Sequence, residues 1–409
     1  MPAFAGVRGT GDWGTDERPK NFREMILFRN PAGTAPIFAL TSRMGKKTVN
    51  DPEFAWWDEP RDLVRLQIST AMDGTGTDVV VDSGDPDAAN PARHYGSALN
   101  LVPGDLLMVE PAADTAAHNP EILQVVTVVS ATNFTVARGR AGTTAAAVAD
   151  NSYLLKIGSA FSEGTRAPDS ASRNPIKHYN YCQIFKTTYE LTGTAKETYA
   201  RTGDPLMLDK KRKSFDHARD IEMSILFGRR HEATGSNGKP ERFMGGLRQF
   251  IPASILATNW TLPGLLDAVS PAFDWDTEAG DARMCFMGNG AMNEFNKQIE
   301  TQGASKTRIN YTGKDTMYGI KFQSYQVPQG TLYMKRHPLL SRHPLYNYSM
   351  VMIDGSQLKW VCVRNRDTRF KDNIQHNDED TRKGQWMTEG SIMVDGSGLT
   401  QRYIGGFDN

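Results

Sequence analysis

Residues 204–228 read DPLMLDKKRKSFDHARDIEMSILFG. Leu208, Phe215, Ala218, Ile221 and Ile225 recur at helical spacing, which predicts a helix over 205–230 with one apolar face. Asp204 is placed to cap it, Pro205 fits its first turn, and Gly228 marks its end. About 24 residues at 1.5 Å each make a rod of roughly 36 Å. The opposite face carries Lys210, Lys211, Arg212, Lys213 and Arg219. Such a run can touch phosphates, but a solvated face, or one pairing with acids of a neighbouring chain, is the expectation.

Upstream of the rod, residues 176–201 read as a long extended stretch. Tyr179, Tyr181, Gln183, Phe185, Thr187 and Tyr189 alternate with their neighbours at the strand period. Further upstream, LLMVE (106–110), ILQVVTVVS (122–130), NFTVAR (133–138) and SYLLKI (152–157) are rich in Val, Leu and Thr, and predict a small β module over 101–160. Residues 61–100 begin with an alternating run, Leu63–Ile68, and continue as a turn-rich loop. Together with 176–201 they suggest a long two-stranded loop carrying the module near its tip. Residues 1–60 read as an arm, because Gly6, Gly9, Gly11, Gly14, Pro31, Pro36 and Pro52 punctuate it. Only Asn21–Arg29 there suits a short helix. DPEFAWWDE (51–59) sets Phe54, Trp56 and Trp57 among acids, and these rings must bury on the rest of the protein or on another chain. Downstream, residues 240–300 are mixed, with Asn289 capping a helix that shows Met292, Phe295 and Ile299 on one face. Residues 316–409 return to strands.

The 409 residues hold 47 basic and 47 acidic side chains, a balance that argues against nucleic-acid binding through general positive charge. Length alone suggests two to three domains. Three scattered cysteines, Cys182, Cys285 and Cys362, make no disulfide framework and are expected as free thiols in a reducing compartment. No signal peptide or transmembrane helix is expected. There is no P-loop, zincin, nucleophile-elbow or C-x-x-C pattern. His337 and His343, in the repeat RHPLLSRHPL, are expected to be structural, and Asp73 to sit in a turn. Neither a catalytic set, a cofactor site nor a metal site is expected. The pattern is that of a protein whose work is contact with copies of itself.

Six strings, in order, resemble the SU10-type major head proteins of tailed bacteriophages, within the HK97-type capsid fold. They are DPEFAWWDE (51–59), VARGRAGTTAA (136–146), HYNYCQIFKTTYELTGT (178–194), DIEMSILFGRRHE (220–232), GKPERFMGGLRQFI (238–251) and GSGLTQRYIGGF (396–407). The resemblance spans nearly the whole chain. It implies an α+β fold with an N-terminal arm (1–60) and an extended E-loop region (61–200) holding the inserted β module. A P-domain spine helix (201–240), a mainly A-domain segment (241–335) and P-domain return strands (336–409) would follow. It also implies self-assembly into pentamers and hexamers of an icosahedral shell around double-stranded DNA, contacted weakly and without specificity. Implied partners are a portal and separate scaffold and cement proteins; the implied location is the virion, assembled in the bacterial host cytoplasm. Phe54, Trp56, Trp57, Tyr179, Tyr181, Phe185, Lys210, Lys211, Arg212, Lys213 and Arg219 are the expected inter-subunit contacts. No lysine–asparagine cross-link is assigned. Alternatives are an encapsulin-like compartment shell, an enzyme with an α/β body, and a carbohydrate-binding tail or decoration protein using the Trp56–Trp57 pair.

Overall fold

The computed structural model describes residues 37–38, 45–59, 64–82, 98–111, 119–168, 175–198, 203–301, 309–317 and 320–408. The helix expected at Asn21–Arg29 and the passage 83–96 lie outside them. The class is α+β, as expected: two body sheets, one long helix, several short ones and a small barrel.

The long helix runs from Pro205 to Phe227, with the Asp204 side chain accepting from the Leu206 N–H at 2.9 Å. Gly228 closes it. A Cβ there would lie 2.5 Å from the Ser224 carbonyl oxygen and 2.6 Å from that of Met244. Only glycine lets the following chain come back so close, and Gly246 N–H then donates to the Gly228 carbonyl at 2.8 Å. The helix packs on the strand Gln183–Thr192. Its burial is confined to the C-terminal half, where His217, Ile221, Glu222, Ile225 and Leu226 are buried. The apolar period continues back to Phe215 and Leu208, but Leu208 is only half-buried and Phe215 is partly exposed.

One sheet orders Lys46–Val49, Leu358–Val363, Thr381–Val394 and Gln183–Thr192, with Arg369–Lys371 also paired to Thr381–Val394. Lys46–Val49, expected as part of the arm, is thus an edge strand, parallel to Leu358–Val363. The other sheet has seven strands in the order Ala253–Ile255, Arg402–Gly405, Met350–Ile353, Ala282–Met287, Gly330–Arg336, Ile320–Val327 and Ile309–Met317. The division expected at residue 335 runs through it. Its central strands are covered on both faces, and the period of two sorts their side chains. Met284, Phe286, Val351 and Ile353 join Ile221 and Ile225 of the long helix, together with Trp360 and Ile392 of the first sheet. Cys285, Met287, Met350 and Met352 join Leu265 of helix Leu262–Val269 and Phe295 of helix Asn289–Thr301. Asn289 is the first residue of that helix rather than its cap. Gly288 holds the cap position, its carbonyl accepting from Met292 N–H at 3.1 Å, and a Cβ there would collide with the Asn347 carbonyl.

The β module is a closed barrel. Its strand order is Arg65–Gln67, Tyr153–Ser159, Asp105–Val109, Ile122–Val128, Asn133–Arg140 and Asp78–Val80. The first and last strands meet through the Ile68–Val81 bridge, with Ser69 N–H donating to the Val80 carbonyl at 2.9 Å. It therefore takes in residues 64–82, well outside the expected limits of 101–160. Leu66, Val79, Leu107, Leu123, Phe134 and Leu154 fill the interior. Arg138 fastens its loops: Nε and Nη2 donate to the two oxygens of Glu121, each at 2.7 Å, while Nη1 donates to the Asp73 and Gly76 carbonyls at 2.8 and 3.1 Å. Glu121 also accepts from the backbone N–H groups of Gly139 and Ala146. The pair is nearly fully buried. Breaking such a pair strands a charge, so Arg138→Ala is expected to cost about 3–5 kcal/mol. Hydrogen exchange checks this: amides at Leu123 and Val125 should exchange much faster in the variant while those at Ile221 and Ile225 stay protected.

Candidate inter-subunit surfaces

Strand Glu53–Asp58 pairs antiparallel with Ile176–Tyr181, putting Phe54 opposite Asn180, Trp56 opposite His178 and Trp57 opposite Lys177. The returning stretch therefore pairs with the end of the arm segment, not with residues 61–100. Alternation along Glu53–Asp58 sends neighbouring side chains to opposite faces. Phe54 and Trp56 turn inward, where Trp56 packs against Phe54, His178 and Phe250 at ring separations of 5.9, 5.9 and 5.8 Å. They join Cys182, Val361 and Met393 in a cluster of this chain's own core. Trp57 faces outward and is 60% exposed. The two tryptophans therefore form no shared platform for a sugar ring.

The ribbon's base is tied to the body by Asn180, which is fully buried. Its amide nitrogen donates to the carbonyls of Gly245 (3.1 Å) and Ile392 (2.9 Å), and its oxygen accepts from the N–H groups of Gly245 (2.8 Å) and Tyr181 (2.9 Å). Arg230 donates to the Tyr179 carbonyl at 2.6 Å and lies 3.6 Å from the centre of the Tyr179 ring. Tyr179 and Tyr181 are half-buried and meet edge to face at 5.8 Å. At Cys182 the chain changes sheets, its N–H donating to the Pro52 carbonyl. Beyond it Phe185 is buried in the main core against the long helix. Phe54, Trp56 and Phe185 thus find their cover inside the chain, because each lies on the inward parity of its strand.

On the long helix the basic run is interleaved with acids. Arg212 pairs with Asp209 at 3.0 Å, and Arg219 pairs with Asp216 at 3.0 Å and Asp220 at 3.4 Å. Lys210 sits with its Nζ 3.8 Å from the centre of the Phe370 ring. Lys211 is exposed and Lys213 half-buried. Acids one turn away reduce the field such a row presents to phosphates. On the same N-terminal half, Met207 is 70% exposed.

Inside, His217 bridges helix and sheet: Nδ1 is 3.0 Å from the Thr187 hydroxyl and Nε2 is 2.8 Å from that of Thr388. Burial pushes its imidazole below the ordinary value, with Asp220 pulling weakly the other way. Burial drives the Cys182 thiol up to about 12, with Glu389 adding to the shift, and also raises Cys285 and Cys362, so all three stay protonated and inert. His337 and His343 serve as local caps. His337 Nδ1 accepts from Leu340 N–H at 3.3 Å, and His343 Nδ1 accepts from the N–H groups of Leu345 and Tyr346, each at 3.2 Å. The repeated His-Pro thus does the same job twice. Asp73 closes its turn by accepting from Thr75 N–H at 2.9 Å and from Gly76 N–H. Among the described residues no group of three His, Cys, Asp or Glu converges as metal ligands, and no helix is long and apolar enough to cross a membrane.

The described surface thus holds a ribbon with an uncovered tryptophan, a long helix fully buried only in its C-terminal half and charges paired along the surface; it is the family match that places the chain among the capsid proteins. The chain belongs to the SU10 major capsid protein family, whose model matches residues 6–396. It is 26% identical over 382 residues to the major capsid protein of Pseudomonas phage PaMx41, covering 91% of this chain and 85% of the relative. Among solved structures it is similar to the capsid of a native GTA particle, at 8% identity and TM-score 0.47, over 97% of this chain and 98% of that one. It is also similar to the holo-SrpI encapsulin of Synechococcus elongatus PCC 7942, at 12% identity and TM-score 0.38, over 57% and 75%.

His217 gives this family member a pH signature. Its folded form resists a proton that the unfolded chain accepts, so its contribution is full above about pH 6.5 and is lost as pH falls below that value, at up to about 1.4 kcal/mol per pH unit. Urea unfolding at pH 7 and pH 5 should show a smaller drop in His217→Gln than in the parent chain.

Proposed function

We propose that this chain is the subunit of an icosahedral phage head of HK97-type fold, assembling as pentamers and hexamers around double-stranded DNA. The observation that carries the reading is the family match over residues 6–396. In this reading the helix Pro205–Phe227 is the spine of the P domain, and the barrel is an insertion in the E-loop. Heterologous contacts that close into rings let one chain occupy both kinds of capsomer. Trp57, Met207 and Phe215 supply the apolar area for those contacts, since each is exposed in the single chain. Tyr179, Tyr181, Lys211, Arg212, Lys213 and Arg219 line the neighbouring subunit. Lys210 steadies the helix through Phe370, while Phe54, Trp56 and Phe185 act from inside by aiming the ribbon. Zero formal net charge lets packaged DNA move along the inner wall without being held. Portal, scaffold and cement proteins complete the head, which is built in the host cytoplasm and retained in the virion.

Negative-stain electron microscopy with sedimentation of the purified chain tests this. Closed polyhedral particles are expected, and Trp57→Ser should lower their yield without changing the circular dichroism of the subunit. Monomers or discrete trimers at every concentration contradict the reading.

A further inference from the structure

Glu222 is fully buried in the C-terminal half of the long helix, beside Ile221 and Ile225. A carboxylate there is costly unless it is fully hydrogen-bonded. Its Oε1 accepts from the Ile37 backbone N–H at 2.9 Å, and its Oε2 accepts from the Phe38 N–H at 2.7 Å. The third donor is His337 Nε2, 2.7 Å from Oε1. His337 Nδ1 accepts from Leu340 N–H, which leaves the ring proton on Nε2. Two consecutive backbone amides of helical residues thus share one carboxylate, each donating to a different oxygen. The apolar contacts agree with the polar ones. Ile37 is fully buried in the main core, and the Phe38 ring meets Trp360 edge-on at 5.5 Å.

Neither amide belongs to a body strand, and an apolar residue at 222 would suit the surrounding core. The geometry points to Glu222, oriented by His337, as a built receptor for the N-terminal arm of the same chain. It grips the arm through main-chain N–H groups at residues 37 and 38 and through the Ile37 side chain. The receptor recognises backbone, so at position 38 only a residue lacking an N–H defeats it. In the shell reading this fastening holds the arm to its own body at residues 37 and 38, while Trp57 reaches neighbouring subunits from the ribbon; the receptor itself does not rest on that reading.

Hydrogen exchange on the full-length unassembled chain, read at the Ile37 amide, tests the receptor. Glu222→Gln keeps the shape but cannot accept from all three donors. Phe38→Pro deletes one donor from the arm side without touching the core carboxylate. Both are expected to speed exchange at Ile37 by at least about tenfold, with Ile221 and Ile225 amides unchanged in Phe38→Pro. Wild-type protection of Ile37 in Phe38→Pro overturns the proposal, whatever the folding state of Glu222→Gln. A chain that forms no shells yet releases Ile37 in the variants counts against the shell reading and leaves the receptor standing.

Discussion

Ile221 and Ile225 of the long helix lie between two sheets, against Phe286, Val351 and Ile353 on one side and Trp360 and Ile392 on the other. This contact fixes the helix at its C-terminal end. The strand Gln183–Thr192 is held by the same packing, and with it the ribbon that leaves through Cys182 and Asn180. Full burial begins at His217, and in the turns before it Met207 and Phe215 stay largely and partly uncovered. A subunit gripped at one end of its rod has apolar surface left over at the other. Burying such surface gains about 25 cal/mol per Å², enough for modest contacts that add up over a closed shell.

Local chemistry makes some elements legible in the sequence. Asp204 and Pro205 mark the start of the long helix because capping acts within a few residues, and Gly228 marks its end, although what requires glycine there is the distant chain at Met244 and Gly246. The four long barrel strands show through their Val, Leu and Thr content. Arg65–Gln67 and Asp78–Val80 do not, since three residues carry too little alternation, and closure depends on a single bridge between Ile68 and Val81. The partner of Ile176–Tyr181 escapes local pattern for a similar reason. Strand pairing is a long-range choice, and Glu53–Asp58 supplies the matching register.

The candidate surface shows the same division. The rule of alternating faces, applied to EFAWWD, sends Trp56 and Trp57 opposite ways, yet the doublet looks like a unit in sequence. On the helix, position 217 and position 222 interrupt an apolar stripe with His and Glu. That mismatch is the available signal for the two buried polar junctions, one to Thr187 and Thr388 and one to Ile37, Phe38 and His337. The groups that satisfy them lie as far as 185 residues away in sequence, beyond any local pattern.

Trp57, exposed beside the buried Trp56, offers an internal control for the proposed contact between copies. Hydroxyl-radical footprinting of free subunits and of assembled particles measures both rings in one experiment. Trp57 should be oxidised readily in the free chain and protected in the particle, with Trp56 protected in both. Equal reactivity of Trp57 in the two states would contradict the account.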